Sequence, residues 1–144
     1  MKLDEAQAQA IAAWSRFDAE VTDELLRAVA GAFAAIACAD GELAESEVDR
    51  FVETVIASDA LPNVDAGRLE TSFRDLCQAI FTDFEEGRRR ALAAVARVKG
   101  DPRKAELVVR AGQVAVVADE RLQPPEENAL REICGALGLD PAEY

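Results

Sequence analysis

Ala39-Asp40-Gly41-Glu42-Leu43-Ala44-Glu45-Ser46-Glu47 places four carboxylates in nine residues, between an apolar segment that ends at Cys38 and another that starts at Val48. A stretch of the same kind lies 79 positions further on, where Ala118-Asp119-Glu120-Arg121-Leu122 leads through Pro124 and Pro125 to Glu126 and Glu127. At that offset Ala39 falls on Ala118, Asp40 on Asp119, Leu43 on Leu122 and Glu47 on Glu126. Beyond the turns, Val29 falls on Val108, Phe51 on Leu130 and Val55 on Cys134. A matched turn between matched apolar flanks is the signature of a duplicated helix-turn-helix unit.

The flanks read as helices throughout. Leu3, Ala6, Ala10, Trp14, Phe17 and Val21 recur at steps of three and four, which predicts an amphipathic helix over 4–19. Thr22 can cap the next helix, whose Leu25, Leu26, Val29, Phe33, Ile36 and Cys38 sit among alanines and Gly31; apolar on nearly every side, it should be central. After the first acidic turn, Val48, Phe51, Val52, Val55 and Ile56 form a one-faced stripe, and Leu61-Pro62-Asn63-Val64 is a connector. Asp65 can cap a helix carrying Leu69, Phe73, Leu76, Ile80 and Phe81, and Thr82 or Asp83 opens one with Leu92, Val95 and Val98. In Gly100-Asp101-Pro102 the glycine should end one helix, the aspartate cap the next, and the proline take its first position. Leu107, Val108, Ala111, Val114, Ala115 and Ala118 then line a second central helix. Pro124 and Pro125 fit only a first turn, so a helix with Leu130, Ile133, Cys134 and Leu137 begins there and stops at Gly138. The result is an all-α, compact bundle of about seven helices built from two related halves. Residues 1–24 form an N-terminal helix packed on a domain of residues 25–144.

Composition narrows the function. The chain has 144 residues, 16 basic against 28 acidic, a formal charge of −12 and no histidine. Polyanions such as nucleic acid and anionic membrane surfaces are repelled, while cations and basic partners are attracted. Without histidine, Ser-His-Asp and Cys-His catalysis and every His-containing zinc site are excluded. No apolar run is long enough to span a bilayer, and Met1-Lys2-Leu3-Asp4-Glu5 has neither the basic nor the apolar region of a signal peptide. Six acids against two bases up to Glu24 also argue against membrane binding by the first helix. Cys38, Cys77 and Cys134, odd in number and on apolar faces, are expected as buried free thiols of a cytoplasmic protein. In Arg88-Arg89-Arg90, Glu85 and Glu86 precede Arg89 and Arg90 by four residues, the pairing of a solvated helix face.

The acidic turns have two readings. An aspartate at a helix C-terminus faces the negative end of the macrodipole, and the last carbonyls there lack partners. Carbonyl and carboxylate oxygens together are the ligand set of a hard divalent cation. Alternatively, Gly41 simply ends one helix while Glu45 and Glu47 favour the start of the next. Asp40-Gly41-Glu42 lacks the ligand order of an EF-hand loop, and no phosphate-binding glycine loop is present.

Phe81-Thr82-Asp83-Phe84-Glu85, then Leu92 through Lys99-Gly100 and Pro102, Ala118-Asp119, and above all Leu130-Arg131-Glu132-Ile133-Cys134-Gly135-Ala136-Leu137-Gly138-Leu139-Asp140-Pro141-Ala142-Glu143-Tyr144 resemble the TerB tellurite-resistance family. Ala39-Asp40-Gly41-Glu42-Leu43 with Glu47 is similar to that family's first acidic motif, and the resemblance covers about residues 25–144. It implies a helical bundle of two related halves that bring acidic residues of both turns onto one surface to bind a divalent metal. By position, Asp40, Glu42 and Glu47 match the first motif and Asp119 and Glu126 the second, with Glu45, Glu120 and Glu127 as further residues of the acidic face. The second turn departs from the usual Asp-Gly followed by Asn or Asp, because Glu120 and Arg121 follow Asp119.

The resemblance further implies a non-enzymatic role in tellurite resistance and chemical stress, with calcium-binding partners of the TerD type and a membrane protein of the TerC type. On that reading the protein is cytoplasmic and reaches the inner face of the membrane through partners, with calcium or magnesium bound at modest affinity. The alternative is a metal-independent helical adaptor whose acidic face docks a basic protein.

Phe33 and Val114, from the two central helices, are expected in the core. Phe33→Ala should cost about 3–5 kcal/mol in urea melts, the cost of replacing a buried ring by a cavity. A loss below about 1 kcal/mol would remove Phe33 from the core.

Overall fold

The computed structural model describes residues 23–37, 48–49, 52–53, 66–118 and 124–140, apart from the side chains of 23, 66, 114, 116–118 and 124–127. Among the described residues are five helices and no strand: α1 Asp23–Ala37, α2 Ala66–Thr82, α3 Phe84–Ala96, α4 Pro102–Ala118 and α5 Pro124–Leu137. The expected all-α class is therefore observed. The count of about seven also included the helix over 4–19, with Trp14, which lies outside the described residues, and the helix after the first turn, of which four residues are described.

The hub is α1, which packs against all four other helices. Its sequence explains why: Ala28, Ala30, Ala32, Ala34 and Ala35 keep it slim, so neighbours approach from every side, and Leu25, Leu26, Val29, Phe33 and Ile36 fill the gaps. Phe33 is fully buried, as expected; the side chain of Val114 lies outside the described residues. Gly31 marks the closest approach. A methyl built there would run into the Ala91 carbonyl oxygen of α3 and sit 3.3 Å from the Ala94 Cβ.

The 79-residue repeat is visible in the helix register, since α1 begins at residue 23 and α4 at residue 102. The two pack against one another, and both are mostly buried. Val48 and Val52, the described members of the stripe after the first turn, are buried too, and Arg74 Nη2 of α2 meets Asp49 Oδ1 at 2.9 Å.

Helix ends follow the polar residues. Asp83 has extended backbone, and its Oδ1 accepts from the Glu86 amide at 3.2 Å, which starts α3. Asp101 Oδ1 accepts from the amides of Arg103 at 3.1 Å and Lys104 at 3.3 Å, with Pro102 first in α4, as expected. The expected stop at Gly100 is placed differently. Helix α3 ends at Ala96, and i to i−3 bonds from Val98, Lys99 and Asp101 carry the chain round, with Val98 buried. Gly138 does what was expected of it: at φ 72° it lets Leu139 N donate to Cys134 O at 2.8 Å, while its own amide reaches Gly135 O at 3.1 Å.

Of the apolar residues that the sequence puts on α2, Phe81 is 43% exposed, and Phe84 across the α2–α3 corner is 39% exposed. Phe73, Cys77 and Ile80 take the inward positions, and Phe81 is a further 100° round the helix from Ile80. The corner is tight because Gly87 sits against the backbone of Ala79 and Ile80, where no side chain would fit.

Helix propensity alone would make Gly31→Ala stabilising by about 1 kcal/mol. The Ala91 carbonyl is backbone and cannot rotate away, so we expect the reverse, a loss of about 1–3 kcal/mol in urea melts. Stabilisation would mean that α1 and α3 can separate without loss.

Candidate functional site

The site expected from the sequence is the pair of acidic turns. Asp40, Glu42, Glu45, Glu47, Asp119 and Glu120 lie outside the described residues. Glu126 and Glu127 fall in the first turn of α5 by backbone, where carboxylates favour the helix dipole, with their side chains outside the description. Among the described residues no group of three or more cysteines or carboxylates gathers to hold a cation.

The described residues include the helix that precedes the first turn in the sequence, α1, and the two that border the second, α4 and α5. A Cβ built on Gly112 of α4 would lie 3.2 Å from Leu130 Cδ1 of α5 and 3.4 Å from Ile36 Cδ1 of α1. Three helices thus meet at one small residue. Ile36 is four residues before Asp40, Gly112 seven before Asp119, and Leu130 four after Glu126. At 1.5 Å per residue, the last residue of α4 is about 9 Å along the axis from that meeting point. Beside it, buried Gln113 accepts from Arg110 Nη1 at 3.0 Å, a charge-assisted bond in place of water.

Arg89 and Arg90 lie on an exposed helix face and pair with Glu86, as expected of a solvated face, while Arg88 is half-buried. Arg88 reaches across to Glu132 and ties α3 to α5. Glu86 takes both remaining arginines: Arg89 Nε at 2.9 Å and Nη2 at 2.5 Å, and Arg90 Nε at 3.3 Å. The hydrogen bond from Arg89 is the main cause that holds the Glu86 carboxyl below the usual carboxylate range. A lowered folded-state pKa means that this pairing stabilises above the ordinary carboxylate pKa and is lost as pH falls through the depressed value. Being exposed, it stabilises little.

A second concavity was not expected from the sequence. On α2, Arg68, Thr71, Ser72 and Asp75 recur at i, i+3, i+4 and i+7, and with Gly67 they face Leu26 and Arg27 of α1 across a cleft of about 530 Å³. The polar stripe is legible in the sequence as helical spacing; Arg27, from a helix forty residues away, is not.

Cys77 and Cys134 are buried and unpaired, as expected, and Cys38 lies outside the described residues. Burial pushes the Cys134 thiol up, with the Asp140 carboxylate adding to the shift. Neither thiol has the basic, exposed setting of a nucleophile. No helix among the described residues is long and apolar enough to cross a membrane.

Among known families, the model described as Tellurite resistance protein TerB matches residues 26–144. No curated protein and no solved structure matches the chain.

Cys77 and Cys134 should resist alkylation at neutral pH in the native protein and react once it is denatured. Fast labelling of either under native conditions, read by mass spectrometry, would show that its helix face opens.

Proposed function

The chain belongs to the TerB family, and we propose that it is a non-enzymatic protein of tellurite resistance and chemical stress whose acidic turns bind a divalent cation. Asp40, Glu42 and Glu47 supply the better half of the ligand set, and Asp119 and Glu126 the other. Glu45, Glu120 and Glu127 extend the same acidic face. With the cation in place, that face engages TerD-type partners and, through them, a membrane assembly of the TerC type.

The observation that supports this reading is the meeting of Ile36, Gly112 and Leu130, from the helix before the first acidic turn and the two helices that flank the second. Helices packed together at one point favour a shared ion between the turns they lead to, whereas remote helices would not. The physical argument is electrostatic. Carboxylates gathered at helix ends repel one another in a chain of charge −12, and a dication relieves that repulsion while taking the oxygen ligands it prefers. Without a preformed twelve-residue loop the affinity is modest. Arg121 weakens the second turn by setting a cation beside Asp119.

The test is thermal unfolding with calcium, magnesium or chelator at fixed ionic strength. Calcium at a hundredfold above Kd should stabilise wild type by about 2.7 kcal/mol. Asp40→Asn should remove most of that gain and Asp119→Asn less. Identical melting of wild type in every condition would overturn the metal reading and leave the acidic face as a metal-independent docking surface for a basic partner.

A further inference from the structure

We propose that the cleft between the N-terminal parts of α1 and α2 is a binding site for a small oxyanion, a phosphate or a chemically similar dianion, clamped between Arg27 and Arg68. The two guanidinium groups come from different helices and line the same concavity, with Ser72 and Thr71 between them and Leu26 as an apolar, nearly buried wall. Among the described residues that line it, Arg27 and Arg68 are cationic and Asp75 is anionic, in a chain whose formal charge is −12. The cleft is open to solvent and both arginines are exposed, so a dissolved anion can reach them.

The donors suit an oxyanion better than any other ligand. A guanidinium presents paired N–H groups that match two oxygens of a phosphate, and two such groups from opposite walls can hold one anion from both sides. The Thr71 hydroxyl already donates to Gly67 O at 3.0 Å. Among the described residues the side chains of Arg27, Ser72 and Asp75 have no hydrogen-bond or ion-pair partner, so a guanidinium and a hydroxyl donor are available at the wall. Asp75, one helical turn beyond Thr71 and Ser72, repels a bare anion, and it accepts from a hydroxyl or ammonium group when the ligand carries one. This site shares no residue with the acidic turns, so it stands or falls independently of the metal reading.

The experiment is amide NMR titration of the full chain with sodium phosphate at constant ionic strength, and with tellurite in a parallel arm. Saturable shifts are expected at residues 26–27 and 67–75. Arg27→Gln and Arg68→Gln should each weaken phosphate binding at least about tenfold. Asp75→Asn should strengthen it severalfold, because a repulsive charge is removed, and Arg89→Gln, on another face, should leave it unchanged. All four side chains are exposed, and circular dichroism melts confirm that each variant is folded before it is titrated. Saturation by tellurite at the same amides would identify the oxyanion as an inorganic one relevant to resistance. Saturation by phosphate alone would assign the site to phosphate-bearing ligands. Shifts that do not saturate in either arm, or affinities unchanged by both arginine substitutions, overturn the proposal.

Discussion

Everything in this bundle depends on how closely α3 can approach α1. Gly31 lets the Ala91 carbonyl come to the surface of α1, and the alanines on either side keep the rest of that helix thin. A helix of this kind has little side-chain area of its own to bury. Its stability comes from being surrounded: Leu25, Val29, Phe33 and Ile36 form one buried stripe, and the alanines on its other sides are buried as well. Helices α2 and α3 also pack on each other, and α5 contacts both α3 and α4, so the bundle closes around a central element rather than along a seam.

Polar residues in the described part of the chain work at the edges of that core. Asp83 and Asp101 accept backbone amides at two helix starts, and Gly138 closes the last helix through its left-handed backbone. The ion pairs are mostly exposed and contribute by fixing register more than by stabilising the fold. Among the described residues, Arg88 with Glu132 and Arg74 with Asp49 join separate segments. In this arrangement the burial of apolar surface supplies the free energy, and charge decides which faces meet.

Charge is also what separates the two candidate sites. The acidic turns concentrate the negative charge that dominates the chain, which suits a hard cation or a basic partner. The cleft lined by Arg27 and Arg68 takes one arginine from each of two helices. Family membership ties the chain to tellurite resistance. Its physical chemistry offers two different surfaces through which it can act.

The sequence by itself determined the helical class, the 79-residue register of α1 and α4, the capping aspartate at 101, the stop at Gly138 and the central place of α1, and it narrowed the start of α3 to Thr82 or Asp83. Each of these is local or periodic information: a cap needs only its own next turn, and a helix that is apolar all round has nowhere to be but inside. The family resemblance was legible in the same way, in the continuous run from Leu130 to Tyr144. The acidic residues were legible as a pattern of spacing, and the structure adds that α1, α4 and α5 meet at Gly112. What only the tertiary structure decided is which of several adjacent apolar positions turns inward and which distant residues share a surface. Ile80 and Phe81 are equally apolar in the sequence, and the angle between neighbouring positions on a helix, set against the place where α3 packs, buries one and exposes the other. Arg27 and Arg68 are forty-one positions apart, and Arg88 and Glu132 forty-four. No period connects such pairs, because their proximity is a property of helix packing and not of either segment.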